Sequence, residues 1–249
     1  VLEQVAEDSA VNAIAANFGI YSVQDAARLS SVPASRIRGW LLGYGPRRGR
    51  EAAPPVLRRQ HALRDGELAL GFFDLLEVAF LGRLVQAAER HGRRPSWKSI
   101  RLAADTARRI LGTEHPFAAR RLHTDGKRIF AEARGPDGVG ALYDLVGDNF
   151  AIYDFVASSF VATVEYEHDT PLRWTPDTRF PRIIVDPLRA FGRPIESASG
   201  VPAETLFDAW LAEANDAAKV AAFFGADAAG VNEAVGFVLG TEAPLPRAA

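Results

Sequence analysis

Ser22-Val23-Gln24-Asp25-Ala26-Ala27-Arg28-Leu29, then Ser30-Ser31-Val32-Pro33, then Ala34-Ser35-Arg36-Ile37-Arg38-Gly39-Trp40-Leu41-Leu42-Gly43 make up the most structured-looking part of this chain. Ser22 followed three residues later by Asp25 is a capping-box signature, so a helix begins after Ser22. Ser30 to Pro33 makes a short turn. Pro33, with φ preset for the purpose, starts a second helix from Ala34 to Leu42, and Gly43 and Gly45 end it. Two short helices joined in this way read as a helix-turn-helix. Ile37, Trp40 and Leu41 recur at spacings of three and four and should face the core. Ser35, Arg36 and Arg38 remain near the exposed N-terminal end, where a recognition helix meets base edges and phosphates.

Working outward, an Ala-rich segment at Ala10–Asn17 precedes a break at Gly19, and Gly45-Pro46-Arg47-Arg48-Gly49-Arg50 follows, with Pro54-Pro55 and Arg58-Arg59 beyond it. Gly and Pro discourage regular structure there, while Arg47, Arg48 and Arg50 suit a segment that tracks phosphate; a plain solvated linker has the same composition. From Gly66 to Arg90 the apolar positions Leu68, Phe72, Leu75, Leu76, Ala79, Phe80, Leu84, Val85 and Ala88 describe a long helix. Its apolar content exceeds what one small core needs, which makes it a candidate dimer interface. Pro95-Ser96 starts another helix to about Leu111, striped by Trp97, Ile100, Ala104, Ala107 and Leu111, with Lys98, Arg101, Arg108 and Arg109 largely outside the stripe. Leu122-His123-Thr124 and Lys127-Arg128-Ile129-Phe130 flank Asp125-Gly126, a two-residue hairpin signal. Helix, helix, hairpin is the order of a winged helix, with Lys98, Arg101, Lys127 and Arg128 as phosphate contacts.

Charge divides the chain. Through Arg134 there are 22 Lys+Arg against 14 Asp+Glu, a formal +8; from Gly135 there are 7 against 17, a formal -10. A basic half suits a polyanion and an acidic half does not. In the acidic half Gly140–Tyr143, Phe150–Tyr153 and Phe160–Tyr166 look β-like. Glu165, Glu167, His168 and Asp169 read as a polar turn rather than a metal site, because no further ligand follows at a characteristic spacing. Trp174-Thr175-Pro176 and Pro181 mark a linker. Arg182–Pro187 reads as a short strand and Pro194–Gly200 as an extended segment. Three helices follow, at Ala203–Glu213, Ala217–Phe224 and Ala229–Leu239, with Gly225 closing the second and Asp227 capping the third. They again resemble a helix-turn-helix core. The recognition position carries Asn232 and Glu233 and no basic residue, so this domain should bind protein or dimerise.

The expected fold is therefore mainly α with small β hairpins. A helix-turn-helix and basic linker occupies 1–65, and a long helix with a winged-helix-like module occupies 66–134. A β-rich connector spans 135–181, a small acidic C-terminal domain of three helices spans 182–241, and a tail spans 242–249.

Several segments together resemble the VapB-type antitoxins: Tyr21–Leu42, Phe72–Glu77, Gly112–Leu122 and Thr124–Phe130. Ile184–Pro187, Phe191–Ile195 and Val201–Glu204 resemble the small C-terminal domain of that family, although Ser197-Ala198-Ser199-Gly200 stands where relatives carry a Gly-Thr pair. The resemblance implies an antitoxin of a bacterial type II toxin-antitoxin system. Such a protein holds a PIN-like ribonuclease toxin inactive and binds its own operator DNA, as a homodimer or a toxin-antitoxin hetero-oligomer. PIN-like nucleases cut RNA with clustered carboxylates and Mg²⁺ or Mn²⁺. Arg189, Arg193 and Arg247 are the candidates for an arginine placed against those carboxylates.

Other classes fit less well. The chain has no cysteine, which removes disulfides, thiolate zinc and cysteine nucleophiles and favours a cytoplasmic setting. No metal or other cofactor is expected. The residues at Val1–Gln4 do not resemble a signal peptide, no stretch is apolar for the length of a bilayer, and the missing initiator Met implies residues lost from the start. The five histidines His61, His91, His115, His123 and His168 are scattered with no nucleophile elbow or phosphate loop, so an enzyme is not expected. The alternative is a transcription regulator with a C-terminal ligand-sensing or dimerisation domain, in which Trp174, Trp210, Phe207, Phe223 and Phe224 line a pocket.

Overall fold

Ser22 Oγ accepts the Asp25 N–H at 3.1 Å while Asp25 Oδ2 accepts the Ser22 N–H at 3.2 Å, so the first helix starts where the spacing predicts. The computed structural model describes residues 19–46, 51–92, 95–132 and 150–242. The fold is mixed, with several helices and two small antiparallel sheets. The chain divides into two compact units, one made of Tyr21–Ala162 with Tyr166–Pro171, the other of Thr163–Glu165 with the chain from Leu172 onward.

In the first unit, β1 (Tyr21–Ser22) leads into α1 (Val23–Ser30), and α2 (Ala34–Leu42) follows after the turn at Pro33. Gly43 ends α2 with φ 81°, and a Cβ there would lie 2.4 Å from the Ala53 carbonyl oxygen, so both conformation and space demand glycine. β2 (Ala69–Leu70) pairs antiparallel with β1, Tyr21 opposite Leu70. α3 (Phe72–Arg90) is the centre of the unit. It packs against α1 on one side and α6 (Phe150–Val161) on another, while α5 (Arg120–Glu132) packs on α6 and on α4 (Trp97–Leu111). Phe72, Leu75, Leu76, Phe80, Leu81 and Leu84 are wholly buried, each stabilising by roughly 1.5–3 kcal/mol. Phe80 is the hub: His123, Phe160, Phe117 and Tyr153 surround it with ring centroids 4.4 to 6.3 Å away.

The second unit places β5 (Ile183–Val185) antiparallel to β6 (Pro194–Glu196), Ile184 opposite Ile195. The sheet order is β3-β4-β5-β6, with β3 at Val164–Glu167 and β4 at Thr170–Trp174. α9 (Ala228–Glu242) packs against α7 (Ala203–Ala212), α8 (Ala217–Phe224), β5 and β6. Gly225 adopts the left-handed cap after α8, and Asp227 Oδ1 accepts the Gly230 N–H at 2.6 Å to cap α9, both as expected. Among the described residues no single helix is long and apolar enough to cross a membrane.

Four expectations are corrected. The Asp125-Gly126 hairpin is absent: residues 120–132 are one helix. Gly126 serves close packing there, since a Cβ would meet the Tyr153 hydroxyl at 2.0 Å, and that hydroxyl is pinned by donating to the Leu122 carbonyl at 2.6 Å. Phe150-Ala151-Ile152-Tyr153 is helical rather than extended, because Tyr153, Val156, Ala157 and Phe160 present a buried face at helical spacing. Gly140–Tyr143 lies outside the described residues. The long helix starts at Phe72, not Gly66, because Gly71 N–H is accepted by Asp74 and the preceding residues pair as β2. Its large apolar side chains are buried inside the unit. Trp174 is no linker residue; it ends β4 and is 1% exposed. The polar turn is as expected, with His168 at φ 54° between β3 and β4, and Asp169 receives the Arg121 N–H at 2.6 Å at the start of α5.

Gly126→Ala should destabilise the fold by about 1–3 kcal/mol in urea unfolding despite the better helix propensity of Ala. In a Tyr153→Leu background that penalty should vanish; equal costs in both backgrounds would refute the packing account. Burial pushes His123 down to about 3, so the folded state disfavours its charged form, and the contribution is present above the ordinary value of 6.5 and lost as pH falls toward 3. Relative to wild type, His123→Leu should gain stability as pH is lowered through that window, by an amount on the order of 4 kcal/mol at its lower end. A pH-independent difference would refute this.

Candidate functional site

α2 has two faces. Ile37, Trp40 and Leu41 are 0% exposed and fix the helix to the unit, while Ser35, Arg38 and Leu42, at spacings of three and four, all lie exposed on the other side. Within Ala34–Leu42 there is no acidic residue, and Pro33 provides no side-chain cap to the helix start. This stripe presents a hydroxyl, a guanidinium and an apolar side chain to solvent. Arg36 is not part of it. Its Nη2 lies 3.3 Å from Glu89 Oε1 near the end of α3, which ties α2 to the central helix by a half-exposed pair of modest strength, about 0.2–1 kcal/mol.

A pinned loop follows α2 directly. Tyr44 and Ala53 exchange both backbone hydrogen bonds, at 2.8 and 2.9 Å, and the Val56 and Leu57 N–H groups then donate to the Trp40 carbonyl at 2.8 and 3.0 Å. Trp97 stands edge-on to Trp40 at 6.1 Å and tilted on Tyr44 at 5.5 Å, so the start of α4, with exposed Lys98, sits beside the base of this loop. Arg47, Arg48 and Arg50 belong in sequence to the loop and lie outside the described residues. Arg101, expected as a phosphate contact, donates from Nη1 to the Pro54 carbonyl at 2.7 Å and so straps the returning segment to α4. Arg108 does the same from a largely buried position, reaching the Val56 and Glu114 carbonyls and Asp105. Lys127 and Arg128 lie in α5, not on a hairpin.

The sequence reading missed a buried charge cluster. Asp74 and Glu77, both 0% exposed, stand on the first two turns of α3. Asp74 accepts N–H groups of Gln60 and Gly71, and Glu77 accepts that of Phe117 at 3.0 Å and lies 3.2 Å from His115 Nδ1. Burial pushes Asp74 up to about 6. Burial also opposes charge on His115, but the hydrogen bond to Glu77 and the charges of Glu77 and Asp74 outweigh it and raise its pKa. The carboxylates are supplied by the Gln60, Gly71 and Phe117 N–H groups and the His115 ring, and no group of His, Asp and Glu able to hold a metal occurs among the described residues. Its signal was available as two acids three apart inside an otherwise apolar run.

In the second unit Arg193 pairs with Glu204 at 2.9 Å, and Arg189 donates from Nη1 to the Ser197 carbonyl at 3.1 Å; Arg247 lies outside the described residues. The aromatic residues proposed to line a sensing pocket do not converge. Trp174 is in the core, Phe207 and Trp210 stack on each other half-exposed along α7, and Phe223 is 82% exposed.

No protein-family profile matches this chain, and no curated protein matches it. Among solved structures the fold is similar to the X-ray crystal structure of Rv2018 from Mycobacterium tuberculosis, with a TM-score of 0.63 and 20% identity over 86% of this chain and 96% of that one. The likeness is one of fold.

Arg108→Met should cost about 1–3 kcal/mol of stability, because it strands two carbonyls and frees the segment after Ala53. Lys98→Met should leave unfolding within about 0.5 kcal/mol of wild type. Equal effects of the two in chemical denaturation would overturn this separation of structural from exposed cations.

Proposed function

We propose that this chain is a DNA-binding antitoxin of a type II toxin-antitoxin system: its first unit occupies operator DNA and its acidic second unit captures and silences a PIN-like ribonuclease. It acts by binding, not by catalysis. The observation that carries the DNA half is the exposed Ser35, Arg38, Leu42 stripe, borne by an acid-free helix whose opposite face is locked in the core. α1, the turn at Pro33 and α2 are read as a helix-turn-helix, with α2 in the major groove. The segment after α2, pinned between Tyr44 and Ala53 and carrying Arg47, Arg48 and Arg50 in its sequence, is read as the wing. In this reading Arg38 and Lys98 are the described contacts to phosphate or base edges, whereas Arg36 and Arg101 act indirectly by holding α2 and the loop. Operators of this kind are inverted repeats, so two copies bind.

Support for the protein-capturing half is the charge of the second unit together with its exposed large apolar side chains, Leu188, Phe191, Leu211 and Phe223. Such residues serve a protein partner rather than a polyanion. A mobility-shift titration with the chain's own promoter DNA tests the reading. Arg38→Ala should weaken binding about tenfold and lower the salt slope by about one, and Arg36→Ala should weaken it less. Absence of duplex binding at low ionic strength, or failure of the chain to inhibit the ribonuclease encoded beside it, would overturn the proposal.

A further inference from the structure

Asp74 and Glu77 stand one turn apart on α3, and among the described residues their one ion-pairing partner is the imidazole of His115, 3.7 Å from Asp74 Oδ1 and 3.2 Å from Glu77 Oε2. The other charged groups around that ring are already committed. Arg108 of α4 gives its guanidinium to Asp105 and to the Val56 and Glu114 carbonyls, and the Glu114 carboxylate pairs with Arg58. Two buried carboxylates so close together are tolerable with a cation against them or a proton on one of them.

The two acids are held unequally. Asp74 accepts from the Gly71 N–H at the helix start and from the Gln60 N–H, and the Gln60 side chain in turn accepts the Phe73 and Asp74 N–H groups. Both partners of Glu77 among the described residues come from the connector between α4 and α5: the His115 ring and the Phe117 N–H. That connector is also packed by its rings, His115 edge-on to Phe73 at 5.8 Å and Phe117 beside Phe80 at 5.9 Å. Weakening the cluster therefore frees the connector before it frees α3.

We propose that Asp74, Glu77 and His115 form a proton-operated latch, which fastens the connector at His115 and Phe117 to α3 while the imidazole carries its proton and lets it open when that proton passes to water. The latch belongs to the fold of the first unit and stands whether or not that unit binds DNA. A neutral ring still donates one hydrogen bond, but it no longer offsets two buried negative charges. Burial opposes charge on His115; the bond to Glu77 and the charges of Glu77 and Asp74 outweigh it and hold the ring above its ordinary 6.5. The closed form is thus fully favoured below 6.5, and the advantage is lost as pH rises through the higher folded value. Burial raises Asp74 to about 6, so its proton favours closure in the same sense at lower pH. Release is alkaline.

Amide exchange of the full chain, followed residue by residue by NMR from about pH 6 to about 9 and divided by each amide's intrinsic rate, measures the opening. The Phe117 opening constant should climb from pH 6.5 by up to about tenfold per pH unit and then level off, while the Val235 amide of α9, in the other unit, stays flat. The His115 ring signals should titrate above 6.5 in the same samples. Glu77→Gln, which keeps an oxygen for the Phe117 N–H, should bring that titration back toward 6.5 and flatten the climb; His115→Gln should abolish the climb. A His115 ring that titrates at or below 6.5, a Phe117 opening constant that does not change with pH, or a climb that persists in His115→Gln overturns the latch. An equal climb at Val235 also overturns it, since the loss is then global. The wild-type measurements decide the matter by themselves where a variant fails to fold.

Discussion

Two carboxylates buried away from water on the first two turns of α3 govern how the first unit closes. A buried carboxylate is tolerable only when its oxygens are supplied with donors, and Asp74 and Glu77 draw theirs from the helix start and from distant segments: Gly71 at the cap of α3, Gln60 from the strap that returns from α2, Phe117 and His115 from the segment before α5. Satisfying them fixes where the strap, β2 and that segment meet the helix. Around this polar knot the apolar sides of α3 fill the core, with Phe80 at the centre of an aromatic cluster.

The basic residues follow the same economy. Arg36, Arg101 and Arg108 spend their guanidinium groups on Glu89, the Pro54 carbonyl and the Val56 and Glu114 carbonyls, and so build the platform that presents Ser35, Arg38 and Leu42. A positive charge total over the first half therefore overstates the number of cations that face outward. In the second unit Arg182, Arg173 and Arg193 are likewise committed to acids, which leaves a surface whose distinguishing features are carboxylates and exposed aromatic or aliphatic side chains. The two units thus present different chemistries, a cationic helix face in one and an acidic, apolar face in the other.

Local signals were legible in the sequence wherever a short-range bond decides the outcome. Ser22 with Asp25, Pro33, Gly43, Ser96, Gly225 and Asp227 each act within a few residues, and each stands at the helix end that its chemistry indicates. The buried faces of α2 and α4 followed from spacing for the same reason. Asp125-Gly126 misled because the dipeptide is a turn signal only when no neighbour claims the glycine. Here Tyr153, some thirty residues away, needs the space beside it, and the helix-forming residues around it are free to prevail. Phe150–Tyr153 misled in the same way, its apolar run being compatible with strand or helix until α3 and α5 supply a partner.

The sequence by itself determined the helix ends, the helix pair near the N-terminus and the contrast in charge between the two halves, all of which depend on contacts within a turn or on composition. Only the tertiary structure decided which arginines are committed to carbonyls and acids, that the large apolar side chains of α3 are enclosed, and that Phe191 is exposed. Those outcomes depend on partners tens of residues distant, whose meeting is set by packing and by the need to satisfy buried charge.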